Sequence, residues 1–244
     1  LAELGLICCN FALHSKSSKT RLLNEYNSHP KGLSFVVIGM NDEKSPLFPD
    51  EVRRLISEHR IFSGGRRHRE LVGELLPEGA VWIDIVVPLS DVYAQYRHYD
   101  EPVLVFASGD PLFFGFTTTL MREFEGRVTK TFPSFSSLQM LAHALRLPYH
   151  DMRVVSLTGR PWHEFDRALI ERAHKVGVLT DRKNTPATIA KRMLDYGYTA
   201  YRMYIGVLLG GEREETYSLP LEEVVTKDFP HPNCLIIEAV EPQP

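Results

Sequence analysis

A continuous apolar run followed by a small polar loop, at residues 102–116 (PVLVFASGDPLFFGF), constrains the fold of this chain most strongly. The run from Val103 to Ala107 is typical of a strand that is covered on both faces of a sheet. Asp110 is a favourable N-cap and Pro111 suits a first helical turn, so the sequence predicts a helix entered through Pro111. Gly109 lets a ligand approach the backbone of the loop, and open α/β sheets bind ligands at such strand ends.

Strands and helices alternate on both sides of this segment, which predicts an α/β fold with a mostly parallel sheet. Later strands at Thr216–Leu219 and Cys234–Val240 predict a mixed sheet. We therefore expect two α/β domains, residues 34–132 and 133–241, with a ligand cleft between them. Residues 1–33 are interpreted as a leader or the tail of an upstream segment. Residues 241–244 resemble a linker, after which another domain could follow.

The bulk composition narrows the classes of partner. The 244 residues are 43% hydrophobic and carry a net charge of −3, so nothing favours nucleic acid or an anionic membrane as a partner. Apolar runs of about 18 residues, which a spanning helix needs, are absent from the sequence. The spacing of Cys8, Cys9 and Cys234 fits neither a disulfide framework nor a metal site, and a reducing cytoplasm is the expected location.

Several loops that follow apolar strands are rich in small or polar residues, namely 108–110, 133–137, 156–160 and 180–184. Each by itself is ordinary turn chemistry, but together they predict a small-molecule site in a cleft. Arg66, Arg67 and Arg160 lie on or near the same segments. They are either solvated surface groups or clamps for substrate carboxylates, to which the guanidinium is well matched.

Motifs of several other enzyme classes are absent from the sequence. It contains no phosphate-binding P-loop, no Gly-x-Ser-x-Gly elbow and no His-Glu-x-x-His zinc helix. The acidic residues show no spacing that indicates an acid/base pair, and no metal ligands are predicted.

Five segments together resemble a known family. They are Phe62–His68 (FSGGRRH), Ser108–Pro111 with Gly115, Pro133–Gln139, Ser156–Arg160 and Leu179–Ile189. In this order they resemble the precorrin-6Y methylase family of cobalamin biosynthesis, E-subunit type, within the tetrapyrrole (class III) methyltransferases. The resemblance covers about residues 34–240, and its most specific parts are Gly64–His68 and Thr180–Pro186.

The resemblance implies the tetrapyrrole methylase fold, a homodimer, and S-adenosylmethionine bound between the domains. It implies methyl transfer to carbon 5 of precorrin-7 or its cobalt form, by direct displacement that needs positioning more than a strong base. It also implies a second methyltransferase and decarboxylase unit, on the same chain or as a partner. The residues carried over by motif as cofactor-binding are Ser108, Gly109, Asp110, Phe113, Ser136, Ser137, Leu179 and Leu208, and Arg66, Arg67 and Arg160 are expected to bind substrate carboxylates.

Two departures from the family pattern leave alternatives open. The first strand ends in Ile38–Asp42 (IGMND) where the superfamily usually has a glycine-rich loop, and Thr158 stands where the family often has His. One alternative is another enzyme of the superfamily, acting on a different tetrapyrrole or on RNA, although the lack of basic excess disfavours RNA. The other is a non-catalytic, cofactor-binding unit that serves a fused methyltransferase.

Overall fold

The computed structural model describes residues 32–44 and 46–240. The interpretation of residues 1–33 as a leader falls almost entirely outside this part, as does that of residues 241–244 as a linker. No helix in the described ranges is sufficiently long and apolar to cross a bilayer.

The elements of the described chain alternate as the sequence predicts. In chain order they are β1 (Ser34–Met40), α1 (Asp50–Glu58), β2 (Ile61–Gly64), α2 (Arg66–Val72), a 3-10 turn (Gly73–Leu75), β3 (Val81–Asp84), α3 (Leu89–Tyr96), β4 (Pro102–Ser108), α4 (Phe116–Glu123), β5 (Val128–Phe132), α5 (Ser137–Leu145), β6 (Arg153–Ser156), α6 (His163–Ile170), β7 (Lys175–Leu179), α7 (Pro186–Asp195), β8 (Tyr201–Val207), β9 (Glu215–Pro220), α8 (Leu221–Val224) and β10 (Asn233–Ala239).

The first sheet has the strand order β3-β2-β4-β1-β5, and every pairing in it is parallel. Every residue of β1 is buried, and residues 103–107 of β4 are buried as well. Successive side chains of a strand point to opposite faces of the sheet, so a strand that is buried throughout must be covered on both faces. Helices provide this cover. Phe35 and Val37 pack with α3 and α4, whereas Val36 and Ile38 pack with α1 and α2. The predicted parallel sheet is confirmed.

The strand order creates a crevice between the carboxyl ends of β1 and β4. The chain leaves β1 toward β2 on one side of the sheet and leaves β4 toward β5 on the other, so α1 and α4 cover opposite faces. Met40 and Ser108, which are paired in register, mark the ends of the two strands. Ligands of open α/β sheets bind at this kind of switch point.

The second sheet is mixed, with the order β6-β7-β10-β8-β9. Only β6 and β7 run parallel, and the other pairings are antiparallel. One face packs on α6, α7 and α8 through Phe165, Ile189 and Leu221, and the opposite face packs on α5 through Leu138 and Leu141. The predicted mixed sheet is therefore confirmed. Thr185 followed by Pro186 is a pattern that predicts a helix start, and in the structure Thr185 caps α7, whose first residue is Pro186.

The predicted helix start at Pro111 is wrong. Helix α4 begins at Phe116, with the extended residue Gly115 as its N-cap. Asp110 instead closes a short turn: its Oδ1 accepts from the N–H of Leu112 at 2.9 Å, and its carbonyl accepts from that of Phe113 at 3.0 Å. Phe114 then adopts a left-handed φ of 56°, which ends the turn before a helix can propagate.

The two sheets meet where the first strand and the β8–β9 loop come together. A Cβ on Gly210 would lie 2.8 Å from Cε of Met140 in α5 and 3.5 Å from Cβ of Asn41, which follows β1. Lys44 Nζ lies 3.1 Å from a carboxylate oxygen of Glu212 in the same region. The ends of β1 and β4 therefore face the second sheet across a narrow gap.

Candidate functional site

A cavity of about 390 Å³ occupies the gap between the two sheets. Its walls come from the ends of β1 and β4, the N-terminus of α5, the ends of β6 and β7, and the segments that flank β8 and β10. A volume of this size lies within the range of small-molecule sites, roughly 300 to 1,000 Å³. The switch point of the first sheet thus faces a partly open cavity, whose opposite wall comes from the second sheet.

Most residues that the sequence predicts to bind the cofactor line this cavity. They are Ser108, Gly109, Asp110, Phe113, Ser136, Ser137 and Leu179. Leu208 is the exception: it packs against the core of the second sheet and borders a neighbouring hollow. The next residue, Leu209, lines the cavity instead. The left-handed φ of 51° at Leu208 turns the chain at this point.

The three predicted substrate-binding arginines have different positions. Arg67 lines the cavity and forms an ion pair with Asp42. Arg66 lies outside the cavity and pairs with Glu70 at 3.1 Å on an exposed surface. Arg160 does not line the cavity. Its guanidinium carbon lies 5.3 Å from the ring centroid of Phe114, and Phe114 does line the cavity. The structure therefore brings Arg67 and Arg160 to the site and leaves Arg66 away from it.

Gly109 allows the β4 loop to pack closely on the start of the second half of the chain. Its φ is +64°, and a Cβ added there would lie 3.2 Å from Cα of Ser136 and 3.3 Å from the carbonyl oxygen of Phe135. Its N–H donates to the carbonyl of Met40 at 2.8 Å, which ties the loop to β1. Because glycine tolerates this conformation without steric cost, the loop presents backbone to the cavity.

The N-terminus of α5 opens onto the cavity through Ser136 and Ser137. Ser136 and Gln139 form a capping box, in which the Ser136 hydroxyl accepts from the N–H of Gln139 at 3.3 Å and the Gln139 amide oxygen accepts from that of Ser136 at 2.9 Å. The positive end of the helix dipole favours a negatively charged or electron-rich ligand group at this wall.

Two loops of the second sheet are held together by Asp181. Its carboxylate accepts hydrogen bonds from the backbone N–H groups of Gly159 (2.8 Å), Lys183 (2.8 Å) and Asn184 (2.7 Å). Burial alone would raise the pKa of Asp181, but these hydrogen bonds outweigh it and the pKa is lowered. Thr158 donates to the carbonyl of Thr180 at 3.0 Å, and both residues line the cavity.

Several wall residues were not singled out from the sequence, including Met140, Leu209 and Asn233. Asn233 is held in place by the Thr180 hydroxyl, which lies 2.7 Å from its side-chain oxygen. It reaches the site because β10 runs antiparallel to β7, with Cys234 opposite Leu179. The sequence around Asn233 does not indicate that β10 pairs with β7.

His68 is a further residue that the sequence-based site prediction omitted. Its Nε2 lies 2.9 Å from the Ser108 hydroxyl, and its Nδ1 lies 3.1 Å from the backbone nitrogen of Gly65. Burial and the neighbouring charge of Arg67 lower the pKa of His68 to about 4. The sequence feature that could have identified His68 is the Gly-Gly-Arg-Arg-His stretch, of which it is the last residue.

Among the described residues, no group of three or more His, Cys, Asp or Glu side chains is placed to hold a metal ion.

Sequence comparison identifies relatives of the chain. The family description "Tetrapyrrole (Corrin/Porphyrin) Methylases" matches residues 36–225. A precorrin-6Y C(5,15)-methyltransferase [decarboxylating] of Sinorhizobium is 33% identical over 192 residues, which are 77% of this chain and 46% of that protein. A cobalt-precorrin-7 C(5)-methyltransferase of Salmonella typhimurium is 31% identical over 192 residues, which are 77% of this chain and 91% of that protein. This chain thus spans less than half of the first relative and most of the second.

Solved structures share the fold. A precorrin-6Y methylase from Archaeoglobus fulgidus superimposes with a TM-score of 0.61 at 16% identity, covering 86% of this chain and 99% of that one. A uroporphyrin-III C-methyltransferase from Thermus thermophilus, complexed with S-adenosylhomocysteine, gives a TM-score of 0.60 at 21% identity and covers 84% and 92% of the two chains. With two sheets enclosing the cavity and a family match over most of its length, this chain belongs to the tetrapyrrole (corrin/porphyrin) methylases.

Proposed function

We propose that this chain transfers a methyl group from S-adenosylmethionine to carbon 5 of precorrin-7, or of its cobalt form, in cobalamin biosynthesis. The observation that carries the proposal is the cavity at the β1/β4 switch point, whose walls hold seven of the eight residues predicted to contact the cofactor. Names of the relatives support the choice of substrate.

The share of each relative that this chain covers favours carbon 5 over carbon 15 as the site of methylation. The Salmonella relative, whose name gives carbon 5 alone, is covered over 91% of its length. The Sinorhizobium relative, whose name adds carbon 15 and decarboxylation, is covered over only 46%. The shared segment therefore corresponds to the activity that both names include. We assign carbon 15 methylation and decarboxylation to a second unit, on the same polypeptide or on a partner.

The cavity wall fits the cofactor in shape and chemistry. Gly109 leaves a space that a Cβ would narrow against Ser136, and Leu179, Leu209 and Met140 supply an apolar wall. Such side chains suit an adenine ring, whereas the N-terminus of α5 suits a carboxylate. Ser108, Gly109, Asp110, Phe113, Ser136, Ser137 and Leu179 would hold the cofactor, and Leu209 takes the place proposed for Leu208. When bound, S-adenosylmethionine supplies a methyl group on a positively charged sulfur.

The substrate side of the site is a second hollow that shares Arg67 and Asp42 with the cavity. This hollow, of about 440 Å³, is also bordered by Arg213, by Glu70 and by Lys44, which pairs with Glu212. Tetrapyrrole precursors carry several carboxylates, for which guanidinium groups are good partners. Arg67, half-exposed and paired with Asp42, stands between the two spaces and is placed to exchange its partner for a substrate carboxylate. Arg160 would act at the other rim, beside Phe114.

The contribution of the protein to the reaction is positional. The β4 loop and the start of α5 fix one reactant, and the arginine rim fixes the other, so that the reacting atoms meet at about 3 to 3.5 Å. Reactants bound between the two sheets would displace water from this point. His68 is neutral at physiological pH, so its role is hydrogen bonding and not charge. A homodimer and a cytoplasmic location belong to the same proposal.

The experiment is incubation of the chain with S-adenosylmethionine and precorrin-7, followed by mass spectrometry of the tetrapyrrole. The proposal expects a mass gain of one methyl group, and none with a Gly109→Val variant that remains folded. Binding of S-adenosylhomocysteine without any mass gain would instead support a cofactor-binding unit that serves another methyltransferase. Absence of both binding and mass gain would overturn the proposal.

A further inference from the structure

His68 connects the start of α2 with the end of β4. Helix α2 begins after Gly65, whose backbone nitrogen lies 3.1 Å from His68 Nδ1. The other ring nitrogen, Nε2, lies 2.9 Å from the hydroxyl of Ser108, the last residue of β4. Ser108 lines the cavity between the sheets. The imidazole therefore stands directly behind a residue of the cavity wall.

The two contacts fix the tautomer of the imidazole. A backbone N–H can only donate, so Nδ1 must accept from Gly65 and carries no proton. Burial and the charge of Arg67 lower the pKa of His68 to about 4, and the ring is neutral at physiological pH. The single ring proton is then on Nε2, which donates to the Ser108 hydroxyl oxygen.

This arrangement determines what Ser108 offers to a ligand. Its hydroxyl oxygen accepts from His68, so its own hydrogen must find another acceptor. Within the described part of the chain, no other hydrogen bond is formed by that hydroxyl. Ser108 is exposed and borders the cavity, so its hydrogen is donated to water when the site is empty and can be donated to a molecule that binds there. The contact with His68 occupies one lone pair of the Ser108 oxygen, and the hydroxyl hydrogen cannot be donated back to the imidazole, so it is available to donate to a bound molecule.

We propose that His68 is a positioning residue, which fixes the Ser108 hydroxyl as a hydrogen-bond donor to an acceptor atom of the bound methyl donor. The inference rests on the proposed function, because it takes S-adenosylmethionine as the occupant of the cavity. It adds a residue that contacts neither reactant and acts through Ser108. The competing role of His68, capping the start of α2, is served by Nδ1 alone.

Two conservative variants separate these roles. In His68→Asn the side-chain amide reaches the position of Nδ1, so the contact with Gly65 is kept and the donor to Ser108 is lost. In His68→Gln the amide reaches the position of Nε2, so the donor is kept. Affinity for S-adenosylhomocysteine is measured by titration calorimetry, and folding is checked by circular dichroism and thermal unfolding.

The expected result is a loss of affinity of about five- to tenfold in His68→Asn, the worth of one ordinary hydrogen bond. His68→Gln should bind within about twofold of the wild type, since the donor is retained. Ser108→Ala should lose as much as His68→Asn, and adding His68→Asn to Ser108→Ala should have no further effect. Should His68→Asn fail to fold, the Ser108→Ala and His68→Gln measurements decide the question.

Three outcomes would overturn the inference: a folded His68→Asn that binds like the wild type, an unimpaired Ser108→Ala, or an effect of His68→Asn that persists in the Ser108→Ala background. A His68→Gln that binds as poorly as His68→Asn would also contradict it. In each case the wild type still binds, and the proposed function is unaffected. If the wild type itself does not bind S-adenosylhomocysteine, the proposed function fails first.

Discussion

Gly39 and Gly109 lie so close together that a Cβ on Gly39 would be 2.2 Å from the carbonyl oxygen of Gly109. The same Cβ would be 2.8 Å from the backbone nitrogen of Ser134, which leads into α5. Gly39 is therefore the point at which β1, the β4 loop and the start of the second half of the chain converge. Only a residue without a side chain permits this convergence, and the cavity lies directly beyond it.

Gly39→Ala is expected to destabilise the protein and to abolish cofactor binding. The added methyl meets backbone atoms, which cannot rotate away, so the strand ends must separate. We expect the free energy of unfolding to fall by about 1 to 3 kcal/mol, the usual cost of overpacking. Chemical denaturation and calorimetry with S-adenosylhomocysteine measure the two effects.

Gly73→Ala is the matched control for that substitution. A Cβ at Gly73 would meet no atom within 4 Å, and its φ of −52° suits alanine. We expect stability equal to the wild type or higher by up to about 1 kcal/mol, because alanine restricts the unfolded chain. Equal stability of the Gly39 and Gly73 variants would contradict the convergence argument.

Gly109→Ala is expected to weaken binding of S-adenosylhomocysteine at least about tenfold. Its φ of +64° costs alanine about 1 to 2 kcal/mol, and the new Cβ would lie 3.2 Å from Cα of Ser136. Gly126→Ala is the control, because Gly126 has a similar φ of +70° but no atom within 4 Å of its Cβ. Calorimetry should show unchanged binding in the control. Equal losses of affinity in both variants would mean that general strain, and not the cavity wall, is responsible.

Arg67→Gln is expected to raise KM for the tetrapyrrole about tenfold or more, since charge-assisted hydrogen bonds contribute about 1.5 to 3 kcal/mol. Arg66→Gln serves as the comparison. Arg66 is exposed, pairs with Glu70 and lies outside the cavity, and such surface pairs contribute little. Steady-state kinetics at saturating cofactor should therefore separate two adjacent arginines. A larger effect at Arg66 would reverse the assignment.

Asp181→Asn is expected to reduce the free energy of unfolding at pH 7 by about 1 to 3 kcal/mol, because the carboxylate holds three backbone N–H groups. The folded-state pKa of Asp181 lies below its ordinary value of 3.8, so its stabilising effect is present above that value and is lost as the pH falls through the folded-state pKa. The difference in stability between wild type and variant should therefore shrink below about pH 3.8. A difference that stays constant down to pH 2 would refute this account.

Periodicity and composition predicted the order of the strands and of most helices, but not helices α6 and α8. Burial and capping restrict the residue types at nearby positions of the chain. The sequence therefore predicted the buried strand from Val103 to Ala107, the cap at Thr185 and the late strands. Pro111 misled for the same reason: Asp-Pro favours a helix start, but the backbone at Phe114 and Gly115 delays the helix to Phe116.

The candidate site was predicted only where a motif carried it. Ser108, Gly109 and Ser136 belong to strand-end loops and were singled out, whereas Asn233 arrives through an antiparallel pairing that links distant segments. Whether Arg66 or Arg67, and whether Leu208 or Leu209, lines the cavity depends on the direction in which the backbone points each of two adjacent side chains. Such choices are set by how the backbone turns, which residue types do not reveal.

The amino-acid sequence by itself determined the α/β class, the loops that line the cavity and the family, because hydrophobic spacing and short motifs are local properties of the chain. Tertiary structure alone decided which side chains share the cavity, and it placed the imidazole of His68 behind Ser108. The physical reason is that side-chain contacts between segments 40 residues apart follow from strand order and packing. Those are fixed only when both sheets have formed and close on each other.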